Sequence, residues 1–256
     1  MVNPGEEIMV GVMGQWGSGK STASAALVER LGGPDQVVFI TDRELLAGQA
    51  VDYIRGLDET EARRIITPDG TIKLEGDLAA VFLREGEALD TVDLNSLLFD
   101  LHDEIYDEVP VGGCSWLDLA RLELGSLILE HSGEGKPIVI EAGFGTNTDP
   151  RGGNPYSHTI ADLFARLGEA GVPPDRVKWF IIEASYATRA ERNRLRTDRV
   201  PAREFDRFAA DGGDLEPDQE RELVEKGMVI RRVPNNHDDI NRFRADIIQA
   251  YEDMFG

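Results

Sequence analysis

The sequence predicts an α/β fold with helices in layers on either side of a five-stranded parallel sheet, and three observations predict it. Short apolar runs alternate with segments of helical period along the 256 residues, the pattern of chains that join parallel strands through helical crossovers. The first four runs are rich in β-branched or aromatic residues, as central strands buried on both faces are. A glycine-rich turn lies directly between the first run and the first helical segment, where an open parallel sheet binds its ligand.

The predicted strands are residues 8–13, 37–41, 137–141, 177–183 and 228–233. The last is more polar than the others and is expected at a sheet edge. Helical patterns occupy residues 20–31, closed by Gly32 and Gly33, then 115–131, 157–171, 186–199 and 238–255. In the last of these Ile240, Phe243, Ile247, Tyr251 and Met254 recur at spacings of three and four and mark one packed face. Residues 43–136 are too many for a single crossover and are read as a mostly helical inserted substrate or cap region within one domain spanning 1–256. Inside it, residues 65–74 read as a hairpin around Asp69 and Gly70, and residues 93–106 place Leu94, Leu97, Leu98, Leu101 and Ile105 on one helical face.

A formal net charge of −21 argues against nucleic acid and anionic membranes as partners, because the long-range field repels polyanions. Small phosphates must therefore be captured by local structure. No apolar segment reaches the length of a membrane span. The single cysteine, Cys114, has no internal disulfide partner and suits a reducing compartment, where it reads as a small buried side chain. The acidic first seven residues lack the basic and apolar regions of a secretory signal, so a soluble, cytoplasmic protein is expected. Composition leaves room for a homodimer. His102, His131, His158 and His237 are scattered without metal-ligand spacing.

The glycine-rich turn carries the chemistry. Gly14, Gly19, Lys20 and Ser21 complete the Walker A pattern G-x-x-x-x-G-K-S, after a strand and before a helix as the motif requires. Backbone N–H groups of Gly14, Gly17, Ser18 and Gly19 and the helix N-terminus at Thr22 would surround a β-phosphate, Lys20 would reach the β- and γ-phosphates, and Ser21 would hold Mg²⁺. The glycines let the backbone approach anionic oxygens. Trp16, large for such a loop, is expected to point outward over a nucleotide or against the cap. A Rossmann dinucleotide site is disfavoured, since Thr22 stands where that fingerprint wants its last Gly or Ala.

Three further features surround this loop. Asp42 ends the second strand, facing the ligand crevice, with an N-cap for the following residues as the alternative. Glu141 ends the third strand beside the glycines at 143 and 145; it stands in the place of a metal-binding acid, and either Mg²⁺ or the acceptor is its partner. Gly143 and Gly145 would offer backbone donors. Arg189, Arg192 and Arg196 lie three and four apart on one helical face, as a basic cluster or as a solvated face paired with Glu191. Residues 211–214, Asp-Gly-Gly-Asp, read as a hinge.

With its Walker A loop, Asp42, the Glu141 turn, the arginine helix and the loop at Asn235 and Asn236, the chain resembles P-loop kinases of the nucleoside-monophosphate-kinase-like group, of the shikimate, gluconate, adenylylsulfate and dephospho-coenzyme A type. The resemblance covers residues 8–43 and 137–256 and is specific at the phosphate loop. It implies a P-loop NTPase sheet of order 2-3-1-4-5, a lid-like region at residues 186–226, and ATP with Mg²⁺. It implies that Asp42 orients or deprotonates a small-molecule phosphoryl acceptor, that Arg192 and Arg196 screen the transferring phosphoryl, and that Asn235 or Asn236 contacts adenine. A guanine site is the alternative, since residues 235–238 lie one residue from the N-K-x-D signature. Arg55, Arg63, Arg64 and Arg84 of the insertion are candidates for an anionic acceptor. The expected activity is transfer of the γ-phosphoryl to a hydroxyl or phosphate of a small metabolite. Its rivals are a nucleotide-dependent regulatory ATPase or GTPase switch whose insertion binds a protein, and a nucleotide-binding module without turnover.

Overall fold

In a computed structural model of the chain, residues 8–42, 44–45, 116–144, 159–195, 205–206 and 214–256 are described. They form β1 (Met9–Gly14), α1 (Lys20–Arg30), β2 (Val38–Thr41), α2 (Trp116–His131), β3 (Ile138–Gly143), α3 (Ile160–Glu169), β4 (Lys178–Glu183), α4 (Tyr186–Leu195), α5 (Pro217–Glu225), β5 (Val229–Pro234) and α6 (Ile240–Phe255). The five strands are all parallel in the order β2-β3-β1-β4-β5, as expected.

Successive residues of a strand point to opposite faces, and here both faces are covered. Met9 and Met13 of β1, Ile138 and Ile140 of β3, and Trp179 and Ile181 of β4 meet Leu124 and Ile128 of α2 and Leu163, Phe164 and Leu167 of α3. The intervening Val10 and Val12, Val139, and Phe180 and Ile182 meet Leu27 of α1 and Phe243, Ile247 and Tyr251 of α6. The result is three layers, α2/α3, sheet, and α1/α6. Helix α3 begins at a capping box in which Thr159 accepts from the Asp162 N–H. Gly32 and Gly33, expected to close α1, follow it with positive φ, a left-handed stop.

Several expectations change. The second strand lies at the edge, as the order 2-3-1-4-5 implies, but its apolar composition, like that of buried central strands, leaves Phe39 exposed. Ile240 does not share the packed face of α6: it is the first residue after the Asp239 cap and is 63% exposed, because the chain has not yet met the sheet. The hairpin at 65–74, the helix at 93–106, Cys114, Gly145 and the arginines at 55, 63, 64, 84, 196 and 199 lie outside the described residues. Among the described residues no helix is long and apolar enough to cross a membrane.

Gly11 on the central strand is opposite Trp179 of β4, and a Cβ there would fall 2.0 Å from the indole. Gly11→Ala should therefore destabilise the fold by about 1–3 kcal/mol through overpacking. Urea unfolding of the variant checks this, and an unchanged midpoint would contradict the packing described.

Candidate functional site

The site lies where the C-terminal ends of β1, β2 and β3 meet. Gly14 is in register with Gly143, and Thr41 with Glu141, so the phosphate loop, Asp42 and the β3 turn emerge at one edge of the sheet. The chain leaves β1 for β2 on one side of it and leaves β3 for β4 on the other, and this reversal opens the crevice.

The phosphate loop closes with the Ser18 N–H donating to Gln15 O at 3.1 Å and ends at Gly19, the left-handed residue before α1. Lys20 Nζ lies 3.3 Å from Gln15 O. Ser18 is 1% exposed, and its Oγ has no hydrogen-bond partner among the described residues. An orphaned hydroxyl within a glycine loop, at a helix N-terminus with a lysine, fits a phosphate group. The glycines are also demanded by the protein itself. A Cβ on Gly14 would meet Ser18 Oγ at 2.4 Å, one on Gly17 the Arg189 backbone at 2.8 Å, and one on Gly19 the Asn235 side chain at 2.4 Å. Thr22 is half-buried in the first turn of α1.

Ser21 Oγ donates to Glu141 Oε1 at 2.9 Å, so the two residues read as metal ligands are in contact. A hydroxyl and a carboxylate, with phosphate oxygens and water for the remaining positions, are the hard oxygen donors that suit Mg²⁺. Among the described residues no group of three or more His, Cys, Asp or Glu is arranged to hold a metal without such a ligand.

Asp42 is buried, and its Oδ2 accepts the Gly143 N–H at 2.8 Å. The backbone donor at 143 expected for an acceptor is therefore committed to Asp42. The Gly143 carbonyl in turn accepts from Arg121 Nη2 at 3.2 Å, and Arg121 is fully buried. Sequence reasoning missed Arg121. Its signal was an arginine at spacings of three and seven from Leu124 and Ile128, on the core face of α2. Burial pushes the Asp42 pKa from 3.8 up to about 6, against the Arg121 guanidinium, the Gly143 N–H and Lys20, while Glu141 pushes it the same way as burial.

The arginine helix is arranged differently from the expectation. Arg189 is buried and turns its Nε back to Ala184 O at 2.9 Å. Arg192 is turned onto oxygens of the protein itself. Its Nη1 lies 3.3 Å from both Gly17 O and Ser18 O, and its Nη2 donates to Asn235 Oδ1 at 3.1 Å and His237 O at 2.7 Å. Carbonyl oxygens attract a guanidinium as phosphate does, and α4 brings them within reach. Burial lowers the Arg192 pKa, with the Asp238 carboxylate opposing. Asn235, read as a base contact, is 3% exposed, and its Nδ2 donates to Ser18 O at 2.7 Å. The exposed Asn236 accepts the Ser185 N–H at 2.7 Å, tying the loop after β5 to that after β4. Trp16 packs with Tyr186, Ala190 and Phe205 rather than pointing outward, because a large apolar ring beside α4 gains more by burial. Asp214, the end of the predicted hinge, is anchored by Arg232, which also pairs with Glu183 and Glu220.

No protein-family model and no curated protein matches the sequence. Among solved structures, the chain aligns over 96% of its length with 92% of a sugar kinase from Janibacter sp. HTCC2649, at 14% identity and a TM-score of 0.47. It also aligns over 96% of its length with 98% of a thymidylate kinase from Ehrlichia chaffeensis, at 19% identity and a TM-score of 0.39. A shikimate kinase from Bacteroides thetaiotaomicron aligns over 96% of this chain and 98% of its own, at 14% identity and a TM-score of 0.38. At these scores the likenesses carry no weight for substrate, and the fold rests on the strand order itself.

The raised pKa of Asp42 has a consequence for stability. Because the folded-state value lies above the free value of 3.8, its protonation favours the fold; the contribution is complete below that value and is lost as the pH rises through about 6. A gap of about two units corresponds to about 3 kcal/mol. Urea titration of the wild type and Asp42→Asn at about pH 4 and about pH 8 should show the stability difference moving toward the variant by up to about 3 kcal/mol. A difference independent of pH would contradict the buried carboxylate.

Proposed function

We propose that the protein is an ATP- and Mg²⁺-dependent phosphotransferase that moves the γ-phosphoryl of ATP to a hydroxyl of a small metabolite. The observation that carries this reading is Asp42, a buried carboxylate held by the Gly143 N–H at the mouth of the phosphate loop. A loop that only binds a nucleotide has no use for a second, desolvated carboxylate at the end of β2, whereas attack on the γ-phosphorus by water or by an acceptor hydroxyl does. A transferase needs one to orient the acceptor and take its proton.

Each group then has a part. Lys20 and the loop amides hold the phosphates and neutralise charge that builds on them. Bound between Ser21 and Glu141, Mg²⁺ would supply further neutralisation of the phosphate oxygens. Asp42 accepts the hydroxyl proton as the acceptor oxygen bonds to the γ-phosphorus and the bond to the β-phosphate oxygen breaks, releasing ADP. A carboxylate with a pKa of about 6 is largely ionised near neutrality yet basic enough to receive that proton. Phosphate as the accepting group is disfavoured by Asp42 and Glu141, two carboxylates at this end of the crevice. The kinases among the similar solved structures are in keeping with this reading, although none identifies the acceptor.

Incubation with γ-labelled ATP, Mg²⁺ and pools of hydroxylated metabolites should place label in a new compound. Lys20→Ala should abolish transfer. Asp42→Asn should retain ATP affinity and slow transfer by roughly 10²–10⁴-fold, the usual contribution of a positioned base. Release of label only as free phosphate, or loss of ATP binding in Asp42→Asn, would remove the reading.

A further inference from the structure

We propose that Arg192 and Asn235 hold the phosphate loop from behind in its ligand-ready shape and couple it to the loop after β5, as positioning residues that never touch the phosphate. The proposal rests on the nucleotide-site reading but is independent of the acceptor.

A loop that turns its N–H groups toward an anion turns its carbonyls the other way, and buried carbonyls need donors. Ser18 is 1% exposed. Its carbonyl receives two donors, Asn235 Nδ2 at 2.7 Å and Arg192 Nη1 at 3.3 Å, and the Gly17 carbonyl receives the same guanidinium nitrogen at 3.3 Å. Without these donors the peptide between Ser18 and Gly19 would relieve its buried carbonyl by rotating, which carries the Gly19 N–H away from the phosphate position. The other arm of the guanidinium takes Asn235 Oδ1 and His237 O, so one planar group joins α4, the phosphate loop and the loop after β5. Asn235 is itself fixed by its own N–H, which donates to Glu183 O at 2.6 Å. Gly17 and Gly19 are closed against Arg189 and Asn235 with no space for a Cβ, so the backing is shaped to the loop.

The arrangement requires the fork of a guanidinium, because a lysine ammonium cannot reach both loop carbonyls and both oxygens beyond. Arg192→Lys is therefore the test. Asn235→Asp is the second variant: it leaves an oxygen for Arg192 but sets another against Ser18 O. Calorimetric titration of each with ATP, ADP and inorganic pyrophosphate, in Mg²⁺ and well below the melting temperature, should show all three ligands weakened by the same factor, about tenfold. Selective loss of ATP would overturn the proposal, since it would mark Arg192 as a γ-phosphate contact. Unchanged affinity for all three with a lower melting temperature would also overturn it, leaving a brace with no bearing on ligand. If the wild type binds none of the three, the nucleotide-site reading itself falls and the proposal with it.

Discussion

The rest of the site depends on where the phosphate loop sends its carbonyl groups. Amides gathered around an anion leave their oxygens facing the protein, and those oxygens must be met by donors that the loop does not contain. Arg192 reaches them from α4 and Asn235 from the end of β5. To deliver those donors the fourth strand, its helix and the fifth strand must all lie on one side of β1, with β4 next to it and β5 beyond. The order β2-β3-β1-β4-β5 satisfies this on one side of the loop and leaves the other side for β3 with Glu141 and β2 with Asp42 at its end. Trp16 extends the same contact outward, seating the loop on Tyr186, Ala190 and Phe205.

On the side of β2 and β3, where the acceptor is proposed to bind, the constraint is charge. In a chain of net charge −21, carboxylates are everywhere, yet Asp42 is distinguished by burial beside a buried guanidinium. The Gly143 peptide joins the two, its N–H on Asp42 and its carbonyl on Arg121. A buried acid held this way keeps a fixed direction and an elevated pKa at once, which is what proton transfer from an alcohol asks of it. Glu141, whose charge acts on Asp42, accepts a hydrogen bond from Ser21 at the start of α1.

The backbone of this arrangement was legible in the sequence because it rests on local pattern. Uniformly apolar runs reveal buried parallel strands, and the Walker A spacing marks the loop between β1 and α1. Asp42 and Glu141 were legible because the end of a parallel strand has one direction to face. What sequence could not say is what the polar side chains meet. Arg192 and Asn235 belong to types that bind phosphates and bases, and only the tertiary placement of α4 against the loop shows that backbone carbonyls claim them. Arg121 was hidden for the opposite reason, since an arginine in an apolar helix reads as surface until its partner at Gly143 is known. Ile240 followed the period of α6 but precedes the point where the helix reaches the sheet.

A crystal structure of the protein with Mg²⁺ and a non-hydrolysable ATP analogue tests the central claim most directly. The guanidinium of Arg192 should remain on the Gly17 and Ser18 carbonyls, with the phosphates on the opposite side of the loop and the Ser21–Glu141 hydrogen bond opened by the metal. A guanidinium found on the γ-phosphate, with the loop carbonyls abandoned, would contradict it.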